Sequence, residues 1–370
     1  MKNISVCHVI TTIERGGAEN QLVVLVEEQI KNGIKVEVVP LKGRTDLLQT
    51  LESFGCIVNT SILNKLPFKQ VLFLKKIFDK YNDKNFVVHA HLPRAEFLTS
   101  FHAKTFSLVV SRHNCEAFFP KVPQIFSQLL SRFSSRNIKV CIAISEAVKL
   151  YLVKAKEIYA PTKIKVVYYG YKRSNFTDNI PADLNELFPD FDPHAVTIGT
   201  ISRLTQQKDI PTLLRGFALA FNFDHRRDAQ LLVVGEGVLR LELEALAKEL
   251  GIDNKVFWAG KQQDIHSYLN LMDVFVLSSR YEGFGLVLLE ALDHALPIVA
   301  SNNSAIPEVL GREHPLLFNT GDTKDLSLKL QQATNQIESS SYKYKERLEM
   351  FHPSIMENQI RTIYHSILGV

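Results

Sequence analysis

The feature that most constrains the fold is an alternation, along nearly the whole chain, between short apolar runs and amphipathic segments. Apolar runs of strand length followed by segments of helical period predict parallel sheets with helices on both faces. In the first half the predicted strands span residues 4–10, 35–40, 56–60, 86–90, 106–111, 138–144 and 164–168. The helices predicted between them include 18–31, 68–80, 94–104 and 145–154.

The alternation breaks between residues 172 and 194, which hold three prolines and no periodic run, and we interpret this stretch as a linker. Beyond it, strands are predicted at 195–201, 229–234, 255–258, 274–277, 297–300 and 315–318. The helices predicted there include 210–221, 239–250, 265–272, 285–293 and a closing helix at 353–368. The pattern predicts two doubly wound α/β domains, 1–171 and 195–350, followed by a helical tail at 351–370. Ligands of such folds bind beyond the carboxyl ends of the strands, so the loops after strands carry the candidate chemistry.

Charge divides unevenly between the halves. Residues 1–170 carry 24 Lys and Arg against 13 Asp and Glu, whereas residues 171–370 carry 19 against 26. The net charge of +4 is too small to indicate a nucleic-acid partner. The four scattered cysteines form no C-x-x-C pair, which favours buried thiols in a reducing compartment. With neither a signal peptide nor an apolar run of about 20 residues, we expect a cytoplasmic protein that can still lie on a membrane surface.

Three loops of the first half carry candidate residues. Gly16 and Gly17 follow the first strand and open a helix, where backbone can approach an anion closely. His89 and His91 share one face if the fourth strand continues through them. A zinc site would need a third ligand, and the sequence suggests none. Together with Arg94, Arg112 and His113, they could meet a phosphate or a sugar hydroxyl, although buried structural histidines are the alternative.

The second half carries cations in its first loop. Arg203 and Lys208 lie between the first strand and the N-terminus of the next helix, where cations are unfavourable unless an anion binds. Gly235 belongs to a Gly-x-Gly turn after the next strand. Arg240 stands where a dinucleotide fingerprint has its third glycine, so we interpret this turn as facing a nucleotide and not as evidence for NAD.

The strongest motif follows the strand at 274–277. Gly283 and Gly285 let the chain turn with backbone N–H groups exposed at a helix start, which favours phosphate or ligand oxygens. Glu282 lies in this loop, and Glu290 lies inside the following apolar helix. An unpaired carboxylate there is costly, so a ligand diol such as a ribose is a natural partner for Glu290.

These motifs together resemble those of the retaining glycosyltransferases of family 4, which have the GT-B fold. Glu282-Gly283-Phe284-Gly285 followed by Glu290 matches the family's E-x-F-G-x-x-x-x-E motif. Arg203 and Lys208 match its phosphate-binding cations, and the loop at Gly16 and Gly17 matches its G-G-A-E loop. The resemblance covers about residues 1–368 and implies two Rossmann-like domains facing across a cleft, with a cross-over helix within residues 351–370 that packs back on the first domain.

The resemblance also implies roles for single residues. Glu290 would bind ribose hydroxyls, Arg203 and Lys208 would neutralise the diphosphate, and Glu282 would contact the donor sugar. The backbone of Phe284, Gly285 and Leu286 would help to hold sugar and phosphate. Gly17 would approach from the first domain, and His91 would lie near the sugar, with His113 and Arg94 on the acceptor side. The chain departs from the family at residues 301–308, where Asn302 and Asn303 stand in a loop that usually has a glycine pair.

The implied activity is a metal-independent, retaining transfer of a sugar from a nucleotide-sugar donor. The triplet Asp190-Phe191-Asp192 is flanked by prolines in the linker, so we interpret it as a turn and expect neither a metal nor another cofactor. The basic first domain, and the lysines between the phenylalanines of residues 68–78, favour contact with an anionic membrane surface. A helix packed on the sheet is the alternative there. We expect a glycan or lipid-linked acceptor in bacterial envelope polysaccharide or lipopolysaccharide synthesis.

Two other functions fit the same sequence. A nucleotide-sugar epimerase of this fold would turn over the donor without an acceptor. A non-catalytic scaffold subunit of a glycan-assembly complex would turn over no donor.

Overall fold

The computed structural model describes residues 4–81, 85–173, 179–181, 184–221, 228–335 and 344–370. They form two compact units, one of residues 1–172 and 350–370 and the other of residues 173–349. No helix within the described residues is long and apolar enough to cross a bilayer.

Unit 1 is built on a parallel sheet of seven strands in the described residues, in the order β3-β2-β1-β4-β5-β6-β7. Its strands are β1 (Ser5–Ile10), β2 (Lys35–Pro40), β3 (Ile57–Val58), β4 (Phe86–His91), β5 (Ser107–Arg112), β6 (Val140–Ala143) and β7 (Ile164–Val166). Its helices are α1 (Gly17–Lys31), α2 (Leu48–Ser53), α3 (Pro67–Phe78), α4 (Pro93–Ser100), α5 (Gln124–Ser134), α6 (Glu146–Lys154) and the C-terminal α15 (Pro353–Leu368). The helix α15 packs against α1, and Tyr364 of α15 is completely buried.

Unit 2 is built on a second parallel sheet, in the order β10-β9-β8-β11-β12-β13. Its strands are β8 (Val196–Ile201), β9 (Ala229–Val234), β10 (Val256–Gly260), β11 (Val274–Leu277), β12 (Ile298–Ser301) and β13 (Leu317–Phe318). Its helices are α7 (Leu184–Leu187), α8 (Ile210–Phe221), α9 (Arg240–Glu249), α10 (Ile265–Leu269), α11 (Leu286–Asp293), α12 (Ile306–Leu310), α13 (Thr323–Asn335) and α14 (Lys345–Glu349).

Both sheets confirm the predicted doubly wound α/β class, because every strand pairing recorded in them is parallel and each sheet reverses its strand order beside its first strand. Several predicted bounds were wrong. The strand predicted at 56–60 is reduced to Ile57–Val58, the helix predicted at 94–104 ends at Ser100, and the predicted linker contains the short helix α7. The cysteines form no disulfide among the described residues, but Cys115 is half-buried where a buried thiol was expected.

Candidate functional site

In unit 2, hydrogen bonds hold together the loops that follow β8, β11 and β12. The Ser278 hydroxyl donates to the carbonyl of Lys208 at 2.8 Å, which joins the β11 loop to the β8 loop. The Ser301 hydroxyl, at the end of β12, donates to the carbonyl of Ser279 at 2.5 Å. Three segments distant in sequence therefore form one edge at the carboxyl ends of neighbouring strands, where ligands of open α/β sheets bind.

An ion pair lies within this edge. Lys208 Nζ is 2.5 Å from Glu282 Oε1, and the Ser279 hydroxyl donates to the same oxygen at 2.6 Å. Glu282 is buried, and its backbone N–H donates to the Ser304 hydroxyl at 2.7 Å. Glu282 is thus held by contacts on both its main chain and its carboxylate, which gives Lys208 a fixed position beside the loop.

Arg203 differs from Lys208 in having no partner. Its side chain is exposed, and within the described part of the chain it forms no ion pair or hydrogen bond. The backbone around it is constrained, because Asp209 takes a left-handed conformation (φ 48°) and accepts from Thr212 in the first turn of α8. The loop therefore presents one exposed cation and one paired cation in the same short segment.

Glu290 lies in the second turn of α11, among buried leucines. Burial raises the pKa of its carboxyl to about 7. Among the described residues, none forms a hydrogen bond or ion pair with this carboxylate. A desolvated acid without a partner is a candidate ligand contact, because a bound donor group restores the hydrogen bonds that burial removed.

Two glycines of this unit have clear conformational reasons. Gly285 adopts φ 91° as the residue before α11, a conformation that favours glycine. In the first turn of α11, Leu288 N–H donates to the Gly285 carbonyl at 2.9 Å, while the N–H groups of Leu286 and Val287 have no partner in the described structure. Gly235 adopts φ 131°, and a Cβ there would lie 1.9 Å from the carbonyl oxygen of Ser202. Gly235 is therefore required for the β9 turn to approach the β8 loop, and a contact between Gly235 and a ligand stays a prediction. Phe284 is buried and Leu286 begins α11.

In unit 1, the loop before α1 has an extended conformation. Gly16 has φ −161°, which any residue can adopt, so a positive φ does not explain the glycine there. A Cβ on Gly16 would lie 2.5 Å from the Glu19 carboxylate, which accepts from the Thr12 hydroxyl at 2.8 Å. The helix α1 begins at Gly17. The absence of a side chain at Gly16 thus leaves room for the Glu19 carboxylate above the helix start.

A cluster of histidines lies on neighbouring strands, with His8 in β1, His89 and His91 in β4, and His113 directly after β5. His8 pairs with His89 in the β1–β4 register, and His8 Nδ1 is 2.9 Å from His91 Nε2. Burial lowers the pKa of His8 to about 4 and the pKa values of His89 and His91 well below their ordinary value. Burial, and then the Arg112 charge, lower the pKa of His113 to about 3. All four imidazoles are therefore neutral at pH 7.

One ring nitrogen from each of His8, His89 and His91 lies within 4.8 Å of the other two, close enough for a shared metal ion in the described structure, although the three rings have six nitrogens in all. Five of these six nitrogens already have hydrogen-bond partners, since His89 binds Tyr364 and Ser111 and His8 also binds Gln29. A metal ion would have to break these hydrogen bonds, so the cluster fits a hydrogen-bonded network better than a metal site.

A small pocket opens beside the cluster. It is lined by apolar side chains and by Gln21, His91, Ser111, His113 and Tyr169. Three of its buried polar atoms have no hydrogen-bond partner in the described structure, and these are Gln21 Oε1, His91 Nδ1 and His113 Nε2. The pocket therefore offers unsatisfied polar atoms to a ligand.

The two arginines predicted near this region have other partners. Arg112 is buried and binds the carboxylates of Glu96 at 2.6 Å and Glu157 at 3.0 Å, so the prediction that Arg112 meets a ligand anion is wrong. Arg94 donates to Gln70 of α3 at 3.0 Å. Its role on the acceptor side stays a prediction.

The fold and the loop motifs define a two-unit glycosyltransferase, and comparisons with known proteins agree. A family model described as Glycosyltransferase Family 4 matches residues 15–174, and one described as Glycosyl transferases group 1 matches residues 195–336. The chain belongs to this family of glycosyltransferases and has the GT-B fold.

The sequence identity to individual relatives is low. The chain is 28% identical to N-acetyl-alpha-D-glucosaminyl L-malate synthase of Bacillus anthracis, over 65% of this chain and 62% of that protein. It is 24% identical to the capsular polysaccharide biosynthesis glycosyltransferase CapM of Staphylococcus aureus, over 100% of this chain and 98% of that one. Among solved structures, Anabaena HepE in complex with UDP and glucose superposes with a TM-score of 0.79 at 18% identity, covering 98% of this chain and 100% of that chain.

Proposed function

We propose that the chain is a retaining, metal-independent hexosyltransferase that moves a sugar from a nucleotide-sugar donor to a glycan or lipid-linked glycan. The observation that carries this proposal is the unpartnered, desolvated carboxyl of Glu290 in α11, the helix that follows the β11 loop. Glu282 of that loop pairs with Lys208 of the β8 loop, where Arg203 is exposed. We place the reaction in bacterial envelope polysaccharide or lipopolysaccharide synthesis, in line with relatives such as CapM.

The donor is assigned to unit 2. A ribose has two adjacent hydroxyls that can both donate to one carboxylate, and such charge-assisted hydrogen bonds are strong. Lys208, Arg203 and the free N–H groups at the start of α11 supply positive potential for a diphosphate. Glu282 and the main chain of Gly283, a residue of the same loop, are assigned to the donor sugar.

The leaving group is stabilised without a metal in this proposal. Breaking the sugar–phosphate bond leaves growing negative charge on a nucleoside diphosphate, which preorganised cations can stabilise. Asp192 accepts from the backbone N–H of His194 at 2.8 Å, as in a turn. The acidic triplet at 190–192 therefore fits the predicted turn, and we assign charge stabilisation to Arg203 and Lys208.

Retention is assigned to attack of the acceptor on the same face that the leaving group departs from. A covalent mechanism would need a carboxylate nucleophile, and Glu282 is a buried carboxylate in these loops. Its Oε1, however, already accepts hydrogen bonds from Lys208 and Ser279. This engagement favours a role in binding the sugar over attack on it. The acceptor is assigned to unit 1, with His91 and His113 contacting hydroxyl groups in the pocket.

A screen identifies the donor. UDP-, GDP-, ADP- and dTDP-sugars are tested for thermal stabilisation, since a ligand that binds only the folded state raises the melting temperature. The stabilising donor is then incubated with candidate glycan acceptors, and NMR of the anomeric proton reports whether the product keeps the donor's configuration. An inverted product contradicts retention. Donor turnover without acceptor indicates an epimerase, and absence of donor binding indicates a scaffold. EDTA leaves the rate unchanged if no metal is needed.

The membrane contact is assigned to an apolar surface on α5 of unit 1. The α5 surface consists of Ile125, Phe126, Leu129, Phe133 and the adjoining Phe101, each at least 50% exposed. The usual arrangement of an amphipathic helix is reversed in α5. Its polar face is buried, with Ser127, Ser131 and Ser134 pointing inward, and its apolar face is exposed.

Hydrogen bonds explain how α5 can present its apolar face outward. Ser131 accepts from Arg112 at 2.8 Å and donates to the carbonyl of Glu157 at 2.7 Å, and Ser134 donates to Glu96 at 3.0 Å. The buried ion pairs around Arg112 therefore anchor the helix without using its apolar residues.

Charge indicates an anionic lipid surface as the partner. No Asp or Glu occurs from residue 117 to residue 145, a stretch that contains four Lys and Arg. The sequence predicted membrane contact for residues 68–78, which lie in α3. In that helix Phe68 is 60% exposed, but Phe78 is completely buried. The sequence thus drew attention to α3, whereas the larger exposed apolar surface is on α5.

Sedimentation with vesicles of phosphatidylcholine, with and without phosphatidylglycerol, tests this contact. Each large apolar side chain contributes roughly 1.5–3 kcal/mol on burial, so the double substitution Phe126→Glu with Leu129→Glu is expected to weaken binding more than tenfold. The matched control is Phe68→Glu with Leu72→Glu on α3. Equal loss in both double variants, or no preference for anionic vesicles, contradicts the assignment to α5.

A further inference from the structure

Three buried side chains of unit 1 form a directed chain of hydrogen bonds that ends at the pocket. Gln29 Oε1 lies 2.8 Å from His8 Nε2, and His8 Nδ1 lies 2.9 Å from His91 Nε2. The last atom of the chain, His91 Nδ1, is buried beside the pocket with no partner in the described residues.

The direction of these bonds follows from the first acceptor. A carboxamide oxygen only accepts, so His8 Nε2 carries the proton and donates to Gln29. A neutral imidazole carries one N–H, so His8 Nδ1 is an acceptor and His91 Nε2 must donate to it. His91 therefore keeps a lone pair on Nδ1.

A second branch fixes the orientation of Gln29. Its Nε2 is 3.5 Å from the Tyr364 hydroxyl, which lies 2.6 Å from His89 Nδ1, while His89 Nε2 is 2.8 Å from the Ser111 hydroxyl. If the Tyr364 proton is donated to His89, the Tyr364 oxygen accepts from the amide of Gln29 and the carboxamide oxygen is left for His8. Each ring nitrogen of the two branches then has a hydrogen-bond partner, except His91 Nδ1 at the pocket.

We propose that Gln29 and His8 are positioning residues that hold His91 in the Nε2–H tautomer, so that the pocket accepts a hydrogen bond from a ligand hydroxyl at His91 Nδ1. The class of ligand is a polyhydroxylated molecule, and its assignment as a sugar acceptor rests on the proposed function above. Gln21 Oε1, also unpartnered at the pocket, is a second acceptor for such a ligand. His91 Nδ1 and Gln21 Oε1 are both hydrogen-bond acceptors. They therefore favour ligand hydroxyls, which can donate, over ionised carboxylates or phosphates, which only accept.

The tautomer is measured directly on the full chain labelled with ¹⁵N-histidine, at pH 7.5 and without donor or acceptor. Long-range ¹H–¹⁵N spectra distinguish a protonated from an unprotonated ring nitrogen, and the spectrum of His91→Asn assigns the His91 signals. We expect Nε2 protonated and Nδ1 unprotonated. His91 protonated mainly at Nδ1 in the wild type would overturn the proposal, whether or not the Gln29 and His8 variants described next fold.

Variants then test the two positioning residues. Gln29→Met and His8→Leu remove the polar constraint at similar volume, and each is expected to populate the Nδ1–H tautomer of His91. Ser111→Ala is the matched control, because it removes a buried hydrogen bond of His89 and leaves the chain from Gln29 intact. An unchanged His91 tautomer in both Gln29→Met and His8→Leu, with the fold retained, also overturns the proposal.

Transfer rates give an independent readout. With the donor saturating, Gln29→Met is expected to lower kcat/KM for the acceptor at least tenfold while the donor KM stays within about twofold. A chain that shows the expected tautomer and no transfer with any donor supports the proposed hydrogen-bond direction and contradicts the proposed function. The two failures are therefore distinguishable.

Discussion

The half-buried carboxyl of Glu290 predicts a pH-dependent gain of stability when its charge is removed. In the folded protein, burial raises the pKa of Glu290 from 4.5 to about 7, so the folded state binds the proton more tightly than the unfolded chain. The contribution of this group is therefore present below about pH 4.5 and is lost as the pH rises through 7. Glu290→Gln keeps the shape and removes the charge.

The magnitude follows from the same pKa. A rise from 4.5 to about 7 corresponds to roughly 3 kcal/mol at about 1.36 kcal/mol per pH unit, and the partial exposure of the side chain reduces this to about 2 kcal/mol. For a domain of this size, about 2 kcal/mol raises the melting temperature by about 4–8 °C. We expect Glu290→Gln to melt higher than the wild type at pH 8, with little difference at pH 4.5.

Differential scanning calorimetry at the two pH values measures this difference. Glu249→Gln on the exposed face of α9 is the matched control and is expected to change stability by less than about 0.5 kcal/mol. A Glu290→Gln variant that is no more stable than the wild type at pH 8, or equally stabilised at both pH values, refutes the reasoning. If Glu290 binds the nucleotide as proposed, the stability gained comes with weaker nucleotide binding.

Other substitutions give further expectations. Lys208→Met should weaken nucleoside diphosphate binding at least tenfold in calorimetric titration, and unchanged affinity contradicts the phosphate assignment. Arg112→Met leaves two buried glutamates without their cation and should cost about 3–5 kcal/mol in the free energy of unfolding by urea denaturation; a loss below about 1 kcal/mol contradicts the buried-ion account. A thiol reagent should modify the half-buried Cys115 before the buried Cys141, whose pKa burial raises to about 12, and mass spectrometry of digests shows the order.

The sheets were predictable because their strands are buried on both faces and so appear as nearly continuous apolar runs. The same property made the first and last residues of each strand hard to predict. The apolar residues at 56–60 indicated a full strand, yet β3 has only two residues of ladder at the edge of its sheet.

The edge formed by the loops after β8 and β11 was predictable because each loop follows a strand directly. The assignment of these loops to a sugar donor stays a prediction. The histidine network was only partly predictable. His89 and His91 stood out as neighbours in one strand, but His8 joins them through the β1–β4 register and Tyr364 through a helix 275 residues away from His89. The sequence signal for His8 was a histidine within an apolar strand. The sequence of one strand does not show which other strand it pairs with.

The reversed polarity of α5 was not predictable from periodicity. A helical period of apolar residues normally marks the face that packs inward. Here the ion pairs of Arg112 with Glu96 and Glu157 create a polar interior, and the serines of α5 face it. The period indicates a helix, but only the three-dimensional arrangement of those charges tells which face is buried.

The central claim is that unit 2 binds the nucleotide part of a sugar donor through Glu290. Calorimetric titration with the nucleoside diphosphate of the stabilising donor tests it, on the wild type, Glu290→Ala and the control Glu249→Gln. Loss of charge-assisted hydrogen bonds to two hydroxyls is worth about 3 kcal/mol, so the account predicts affinity at least a hundredfold weaker in Glu290→Ala and unchanged in Glu249→Gln. Equal affinity in all three proteins would contradict the claim.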